Sequence, residues 1–371
     1  MSKTLQDYAI LINDTIQSNE INHYITTDNM CQNLGGIDTF KNINIPQGKV
    51  RSFQKDDILL SNIRLYFRKV YRAKQKGGCS SDVLVFRAKH IDSATLFAIL
   101  SSQIFTDYAC SGSQGSKMPR GNKTHMMNFK IPTINFTIAK IFNSIQNKIE
   151  NNHKINELLH KILELLYEQY FVRFDFLDEN NKPYQTSGGK MKFSKELNRL
   201  IPNDFEVKTL GELTQLKVGN KNANHSSNQG KYPFFTCSNN PLKCETYQFE
   251  GKHIIISGNG NFYVTHYDGK FDAYQRTYVV NPNNPNHYVL IYLFVKSYTN
   301  YLKLQSRGSI IKFITKSDIE NIKIVLPNLK TYTKWNNVLK MIENNNQATQ
   351  TLTALRDFLL PLLLKQQVKP K

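Results

Sequence analysis

An internal repeat constrains the fold of this chain more than any single motif does. Phe53 leads through Asp57 into the run ILLSN, and Phe249 leads through His253 into the run IIISG. Further matches follow in the same order, all offset by 193 to 196 residues: 79–86 with 273–280, 113–116 with 306–309, 129–132 with 322–327, and 149–152 with 342–345. The 371 residues therefore form two similar units, each long enough to bury a core.

The repeated segments predict strands. ILLSN and IIISG are short apolar runs that end in a polar turn, which is the pattern of a buried strand followed by a loop. The segments CSSDVLVF and AYQRTYVV form a second β-prone pair, and FKIP and IKIVLP each predict a strand that ends at a proline. Each unit is therefore expected to be a mixed-sheet α/β (α+β) domain.

Each unit also ends in a long helical pattern. Apolar residues recur at steps of three and four from Ile138 to Tyr170, and again from Trp335 to Leu362. Helices of about 30 residues are about 45 Å long, so we expect them to pack antiparallel as a coiled-coil-like spacer. The alternative is one ordinary core helix in each domain. Polar residues predicted to set the register in the middle of the seam are Asn152, His153, Asn346 and Gln347.

These patterns divide the chain into five segments. The polar stretch DENNKPYQTSGGKMK between the copies has the composition of a linker. The second unit is predicted to enter its first strand around 205–213. The expected organisation is a first domain (1–135), a first spacer helix (136–177), a linker (178–192), a second domain (193–328) and a second spacer helix (329–371).

The charge of the chain points to a polyanionic partner. The formal net charge is +19 and the isoelectric point is about 9.5. Basic residues collect in windows that contain no Asp or Glu: 58–81, 108–149, 213–244 and 273–317. A merely solvated surface usually mixes both signs, so nucleic-acid contact is favoured over it. An anionic membrane surface is the other partner that such a charge allows.

Catalytic motifs are missing from the sequence. The segment SGNG (257–260) offers a lone GxG, and NPNN (281–284) lacks the second proline and the aromatic residue that hold a flipped base. No P-loop motif or HExxH pattern occurs. Cys237 and Cys244 lack a second Cys/His pair at metal-ligand spacing, so we expect no metal and reduced, structural cysteines in a cytoplasmic protein. The N-terminus lacks a signal-peptide pattern, and no apolar run could span a membrane.

Recognition chemistry remains. Arg pairs with guanine, and Asn or Gln with adenine, in the major groove, although at least half of such contacts usually go to phosphate and sugar. The acid-free loops supply these groups, with aromatic residues between them. The candidate DNA-binding residues are Arg64, Arg68, Lys69, Arg72, Lys117, Arg120 and Lys123 in the first unit, and Lys221, Asn222, Asn259, Asn261, Tyr263, Arg276, Arg307 and Lys312 in the second.

Several of these segments resemble a known family. DILLSNIR (57–64), FRKV (67–70) and SSDVLVF (80–86) resemble the first target-recognition domain of type I restriction–modification specificity subunits. IISGNG (255–260) followed by AYQRT (273–277) resembles a variant of the second such domain. SKEL (194–197) with IP (201–202) is similar to the usual start of that domain, and LRDFLLPLL (355–363) is similar to the family's closing helix.

The resemblance implies a non-catalytic subunit that reads a bipartite double-stranded DNA target, one half-site per recognition domain, with a spacer set by the helix pair. It also implies two methylation subunits, which would carry S-adenosylmethionine, and restriction subunits that use ATP and Mg²⁺. This chain itself would hold no cofactor. The specificity subunit of a type IIB-like restriction enzyme would look nearly identical. A basic coiled-coil scaffold that binds RNA or membrane is a third reading, which the acid-free windows between the helices argue against.

Overall fold

A computed structural model describes residues 3–39, 41–131, 134–327 and 332–364 of the chain. The proline predicted to end a strand at 132, the boundary predicted at 328/329 and the last residues of the second spacer segment, 365–371, lie outside these ranges. The chain divides into two compact units. Unit 1 comprises Met1–Ile155 with Asn344–Lys371, and unit 2 comprises Asn156–Glu343.

Unit 1 contains two four-stranded sheets and a set of short helices. The strands are β1 (Ala9–Ile12), β2 (Thr15–Gln17), β3 (Tyr24–Ile25), β4 (Lys49–Phe53), β5 (Ile58–Ser61), β6 (Val70–Arg72), β7 (Gly77–Cys79) and β8 (Val83–Ala88). Their orders are β1-β8-β5-β6 and β2-β4-β7-β3. The helices are α1 (Leu5–Tyr8), α2 (Ser93–Leu100), α3 (Gln103–Ser111), α4 (Lys123–Met127) and the start of α5 (Phe136–Tyr167).

Unit 2 is built around one six-stranded sheet. The strands are β9 (Met191–Ser194), β10 (Arg199–Pro202), β11 (Glu206–Thr209), β12 (Thr214–Val218), β13 (Tyr232–Phe235), β14 (Leu242–Cys244), β15 (Phe249–Ser257), β16 (Val264–Ala273), β17 (Thr277–Pro282) and β18 (Lys323–Leu326). The main sheet has the order β12-β17-β15-β16-β13-β14, and β9 with β10 and β11 with β18 form separate pairs. The helices are α6 (Leu210–Leu213), α7 (Tyr288–Ser297), α8 (Thr299–Gln305), α9 (Lys316–Glu320) and the start of α10 (Tyr332–Leu359).

The strand register confirms the internal repeat. In unit 1, β5 pairs with β8 from Ile58 opposite Phe86 to Ser61 opposite Val83. In unit 2, β15 pairs with β17 from Ile254 opposite Val280 to Ser257 opposite Thr277. The first members of these pairs differ by 196 residues and the second by 194. The parallel pairing of β3 with β7 recurs in the same way between β13 and β16.

Alternating side chains of the paired strands enter two cores in each unit. Ile58 and Leu60 of β5 join a core with α2 and α5, whereas Leu59 faces a core shared with Phe53 of β4. Ile254 and Ile256 of β15 likewise join a core with α7, whereas Ile255 faces Phe249 and Phe271. The strand interiors are apolar on both sides because both faces of each sheet are covered.

The two long helices are each divided between the units, and within each unit they run antiparallel. In unit 1, Asn152 Nδ2 of α5 donates to Thr349 Oγ1 of α10 over 3.1 Å. In unit 2, Asn156 Nδ2 donates to the carbonyl of Ile342 over 3.3 Å. Residue numbers rise along one helix as they fall along the other, which confirms the predicted antiparallel pair. A 3₁₀ turn, Leu360–Leu364, follows α10, and its Leu360 and Leu363 are buried in the core of unit 1.

Other predictions need adjustment. α5 ends at Tyr167 and continues as a π-helical turn, Glu168–Val172. The first strand pair after the linker is the hairpin of β9 and β10, before the strand predicted around 205–213. Of the predicted seam residues, Asn152 is buried between the helices, His153 is half-buried, and Asn346 and Gln347 are exposed. The helix phase places these last two on the outer side of α10. Within the described residues, no helix is both long and apolar enough for a membrane span.

Candidate nucleic-acid interface

A pair of crossing loops lies at the end of β15 in unit 2. Residues 258–263 and 305–314, together called loop pair 2, are joined by main-chain hydrogen bonds. The Gly260 amide donates to the Lys312 carbonyl over 2.9 Å, and the Ile314 amide donates to the Gly258 carbonyl over 3.0 Å. Arg307 and Phe313 exchange two such bonds within the second loop. The backbone of loop pair 2 is therefore fixed, and its side chains are free to face a ligand.

Unit 1 contains the same construction. Loop pair 1 consists of residues 62–69 and 111–121. The Arg64 amide donates to the Pro119 carbonyl over 2.9 Å, and the Gly121 amide donates to the Asn62 carbonyl over 3.0 Å. These bonds correspond, position for position, to those of loop pair 2, with offsets of 196 and 193 residues.

Backbone conformation explains the repeated SQGS and SRGS sequences. Gly115 and Gly308, at equivalent positions, both have φ of +98°, a region that side chains disfavour. A Cβ atom at Gly308 would lie 2.3 Å from the carbonyl oxygen of Ile311. Arg64 and Gly260 also share a left-handed conformation, with φ of +49° and +73°. The glycine of each motif is therefore needed to turn the loop, whereas Arg307 of the second motif remains a candidate DNA contact.

A third segment joins each loop pair. The Gly258 amide donates to the Arg276 carbonyl over 2.7 Å, and in unit 1 the Asn62 amide donates to the Asp82 carbonyl over 2.7 Å. In unit 2 the Gln275 amide also donates to the Lys221 carbonyl, over 2.9 Å. The structure therefore brings together every residue that the sequence predicted for unit 2: Lys221, Asn222, Asn259, Asn261, Tyr263, Arg276, Arg307 and Lys312.

Several basic groups of unit 2 face solvent without a counter-ion. Arg276 and Lys312 are exposed, and no described carboxylate lies within 4.0 Å of the charged nitrogens of either residue or of Lys221. Arg307 instead forms an ion pair with Asp318, with 3.0 Å between Nη2 and Oδ1. Asn261 Nδ2 donates to the Tyr263 hydroxyl over 3.0 Å, and Asn261 is exposed.

The predicted basic residues of unit 1 use more of their hydrogen-bond donors within the protein than those of unit 2 do. Arg68 Nη2 donates to the Ser101 carbonyl over 2.8 Å, and burial lowers the pKa of the Arg68 guanidinium. Lys69 Nζ donates to the Thr27 carbonyl over 2.6 Å, and burial lowers the pKa of this ammonium. Arg120, although exposed, forms an ion pair with Asp82 at 2.9 Å. Loop pair 1 therefore holds Arg64, Arg68, Lys69, Lys117 and Arg120, but it uses several of their donors internally.

Two predicted residues of unit 1 lie outside loop pair 1. Arg72 is opposite Ile58, at the start of β5, whereas the loop follows the end of that strand. Its guanidinium binds Asp56 at 2.8 Å and Asn143 of α5 at 2.9 Å. The structure thus groups Arg72 with the helix and not with Arg64 and Arg68. Lys123 is exposed at the first residue of α4, just after loop pair 1.

Apolar residues at the loop tips were missed by sequence reasoning, which selected polar and aromatic groups. Ile310 is 94% exposed and Ile311 is 62% exposed in loop pair 2. The position of Ile311 corresponds to Met118 of loop pair 1, which is 52% exposed. Apolar side chains next to basic ones can contact the methyl group of thymine. The sequence did contain a sign of this exposure, because two apolar residues directly after a turn motif have no core to enter.

Comparison with known proteins finds one class that this chain resembles. Residues 202–355 match the family model described as type I restriction modification DNA specificity domain. The chain is 32% identical over 181 residues to the type I restriction enzyme EcoDI specificity subunit of Escherichia coli, across 45% of this chain and 39% of that protein. It is 24% identical over 301 residues to the MjaIX specificity subunit of Methanocaldococcus jannaschii, across 72% of this chain and 67% of that protein.

The fold agrees with this class. The crystal structure of a type I restriction–modification system S subunit from M. genitalium superposes with a TM-score of 0.61, at 17% identity, across 99% of this chain and 96% of that one. The chain is therefore similar, over part of its length, to type I restriction–modification specificity subunits, and its fold resembles that of one such subunit. The match to the E. coli relative nevertheless spans well under half of that protein.

Proposed function

We propose that this chain is the DNA-sequence-reading subunit of a type I restriction–modification complex. Loop pair 1 contacts one half of a bipartite double-stranded target, and loop pair 2 contacts the other half. The observation that carries the proposal is the repeated loop construction, which presents basic, amide and apolar side chains on a fixed backbone in both units. A rigid support for the contacting side chains is what sequence readout requires.

The side chains of loop pair 2 divide by the contacts that they are suited to make. Arg276 can bind the acceptor edge of guanine with two hydrogen bonds, and Asn259 and Asn261 offer the amide that pairs with adenine. Lys312 is a point charge suited to phosphate. In the free protein, Asn259 Oδ1 is buried without a hydrogen-bond partner among the described residues.

The same proposal assigns catalysis to other subunits. We infer that methylation subunits, two of them, carry S-adenosylmethionine, and that restriction subunits use ATP and Mg²⁺, all in the cytoplasm. Part of α5 in unit 2 offers an exposed apolar face suited to a protein partner. Leu158, Ile162 and Leu165 are 61%, 45% and 51% exposed and follow at helical spacing.

The test is the methylated DNA motif of the assembled complex. Replacing 259–263 of loop pair 2 should change the bases of one half-site and leave the other half-site and the spacer as they were. Replacing 114–119 of loop pair 1 should change the opposite half-site. The readout is methylation mapping of genomic DNA from cells that carry each variant with the methylation subunit.

A matched control is Lys130→Ala, because Lys130 is exposed and lies outside both loop pairs. This variant should leave the motif unchanged. If the exchange of loop pair 2 altered both half-sites, or left the motif intact while the complex still methylated DNA, the assignment of one half-site to each loop pair would be wrong.

A further inference from the structure

A compact group of metal-binding side chains lies beside the loops of unit 2. His225 comes from the segment between β12 and β13, Cys244 ends β14, and Asp272 lies near the end of β16. One ligand atom from each residue lies within 4.8 Å of the ligand atoms of the other two. His225 Nε2 is 3.1 Å from Asp272 Oδ2. Three different chain segments therefore meet at this point.

Asp272 is a buried carboxylate whose negative charge is not fully balanced by neighbouring groups. The residue is 0% exposed. Its Oδ2 accepts from the Thr246 hydroxyl over 2.6 Å, but its Oδ1 has no hydrogen-bond partner among the described residues. Among the described residues, no Lys or Arg nitrogen lies within 4.0 Å of the Asp272 carboxylate. His225 is the one residue there that could place a positive charge within that distance. A buried carboxylate without full pairing is costly, and metal coordination is one of the ways proteins satisfy it.

We propose that His225, Cys244 and Asp272 bind one zinc ion. An imidazole nitrogen, a thiolate and a carboxylate oxygen are the three ligand types that zinc takes in proteins. A tetrahedral ion with bonds of about 2.0 to 2.3 Å holds its ligand atoms roughly 3.3 to 3.8 Å apart. The observed cluster needs only small side-chain adjustments to reach such spacing. Magnesium and calcium are disfavoured because both prefer oxygen ligands.

Zinc binding requires Cys244 to lose its proton. The ion replaces the thiol proton, which leaves to solvent, and it bonds the neutral imidazole at Nε2. Binding is therefore expected to tighten as the pH rises, because fewer protons compete for the ligands.

The site would fasten a segment that carries predicted DNA contacts, a consequence that rests on the proposed function. Residues 219–230 include Lys221, Asn222 and His225, and glycines bring both ends close to the sheet. A Cβ atom at Gly219 would lie 2.3 Å from the Tyr274 carbonyl oxygen, and one at Gly230 would lie 2.3 Å from the Cys244 amide nitrogen. In unit 1 the strand position that corresponds to Asp272 is Gly78, so the repeat lacks this carboxylate there.

The test measures metal in the full-length chain and does not depend on DNA. Protein purified without chelators and supplied with zinc should hold about one zinc per chain by elemental mass spectrometry. Cobalt(II) in place of zinc should give a thiolate-to-metal absorption band. Cys244→Ser should abolish that band and weaken zinc binding at least tenfold. The matched control is Cys237→Ser, since Cys237 lies outside the cluster and should leave both readouts unchanged.

Several outcomes would overturn the proposal. These are zinc-supplied wild-type protein that holds no bound zinc, a cobalt complex without the thiolate band, and a Cys237→Ser variant that loses the metal as Cys244→Ser does. If Cys244→Ser fails to fold, the cobalt spectrum of the wild type still decides. Zinc binding with an unchanged DNA motif after loop exchange would contradict the proposed function alone, whereas a motif change without zinc would contradict this inference alone.

Discussion

The two units share their hydrogen-bonded backbone but differ in how their charges are used. Arg120 of loop pair 1 is held by Asp82, and Arg68 and Lys69 donate to carbonyls of their own unit. At the positions of Asp82 and Arg120, unit 2 has Arg276 and Phe313. Equivalent backbone positions therefore carry an ion pair in one unit, and a cation and an aromatic residue in the other. The repeat preserves the scaffold, and the side chains decide which surface it presents.

The charges beneath the sheets differ as well. In unit 1, Asp57 is buried and binds Arg87, with 2.8 Å between Oδ1 and Nε. The register places His253 and Asn281 at these positions in unit 2. Nearby, an acid–base pair of unit 1 is replaced by two basic residues in unit 2. Asp56 binds Arg72 in unit 1, whereas Lys252 and His266 occupy the corresponding positions in unit 2.

The repeated IENN segment links each long helix to its sheet. Glu150 of α5 lies 3.3 Å from Lys74 in unit 1. Glu343, the corresponding residue of α10, lies 2.8 Å from Lys252 in unit 2. The verbatim repeat thus has a structural reason, because the glutamate, buried in unit 1 and half-buried in unit 2, pairs with a lysine of its own unit. The lysines themselves are not at equivalent positions.

The largest effect is expected where unit 1 has a buried ion pair and unit 2 has none. Arg87→Ala leaves the Asp57 carboxylate buried without its cation, so it should lower the free energy of unfolding of unit 1 by about 3 kcal/mol. The matched change in unit 2, Asn281→Ala, removes an exposed amide and should cost less than about 0.5 kcal/mol. Denaturant unfolding followed by hydrogen exchange in peptides of each unit measures both. Equal losses would contradict the comparison.

A pH effect of intermediate size is expected in unit 2. Burial, together with the neighbouring charges of His160, Lys252 and Lys296, lowers the pKa of His266 to about 4. The effect of burial on this pKa thus outweighs the attraction of the Glu343 carboxylate, which lies 3.9 Å from Nδ1 of His266. Unfolded His266 binds its proton near pH 6.5, so stability is present above that pH and is lost as the pH falls towards 4. The expected loss between pH 8 and pH 5 is about 2 kcal/mol.

The control for this effect comes from the repeat. Arg72, at the position of His266 in unit 1, stays charged across this range. His266→Asn should therefore flatten the pH dependence of unit 2, and hydrogen exchange in unit 1 should follow the same course in both proteins. Wild-type and His266→Asn chains with the same pH dependence in unit 2 would show that His266 is not the group responsible.

Sequence reasoning predicted the duplication, the long helices and the location of loop pair 2. These rest on short-range patterns: apolar periodicity, turn glycines and runs without acidic residues. It could not show that Arg72 lies beside α5. Val70 and Arg72 are at opposite ends of the short strand β6, and only the Val70 end is next to loop pair 1. It also missed the relation of Cys244 to His225 and Asp272, since the three residues are brought together by strand pairing and not by spacing.

The smallest effect concerns the loop pairs themselves and tests whether the free charges of unit 2 matter more than the paired charges of unit 1. Arg276→Ala and Lys312→Ala each remove a cation without a described counter-ion. Each should weaken binding of target DNA several-fold and reduce the slope of log affinity against log salt by about 1. The matched double change in unit 1, Arg120→Ala with Asp82→Asn, removes a neutral ion pair and should leave that slope unchanged. Affinity would be measured from low to physiological salt on DNA that carries the mapped motif. If the double variant lowered the slope as much as Arg276→Ala, then Arg120 must leave Asp82 and bind phosphate in the complex. The two loop pairs would then present equivalent charges to DNA despite their different arrangement in the free protein.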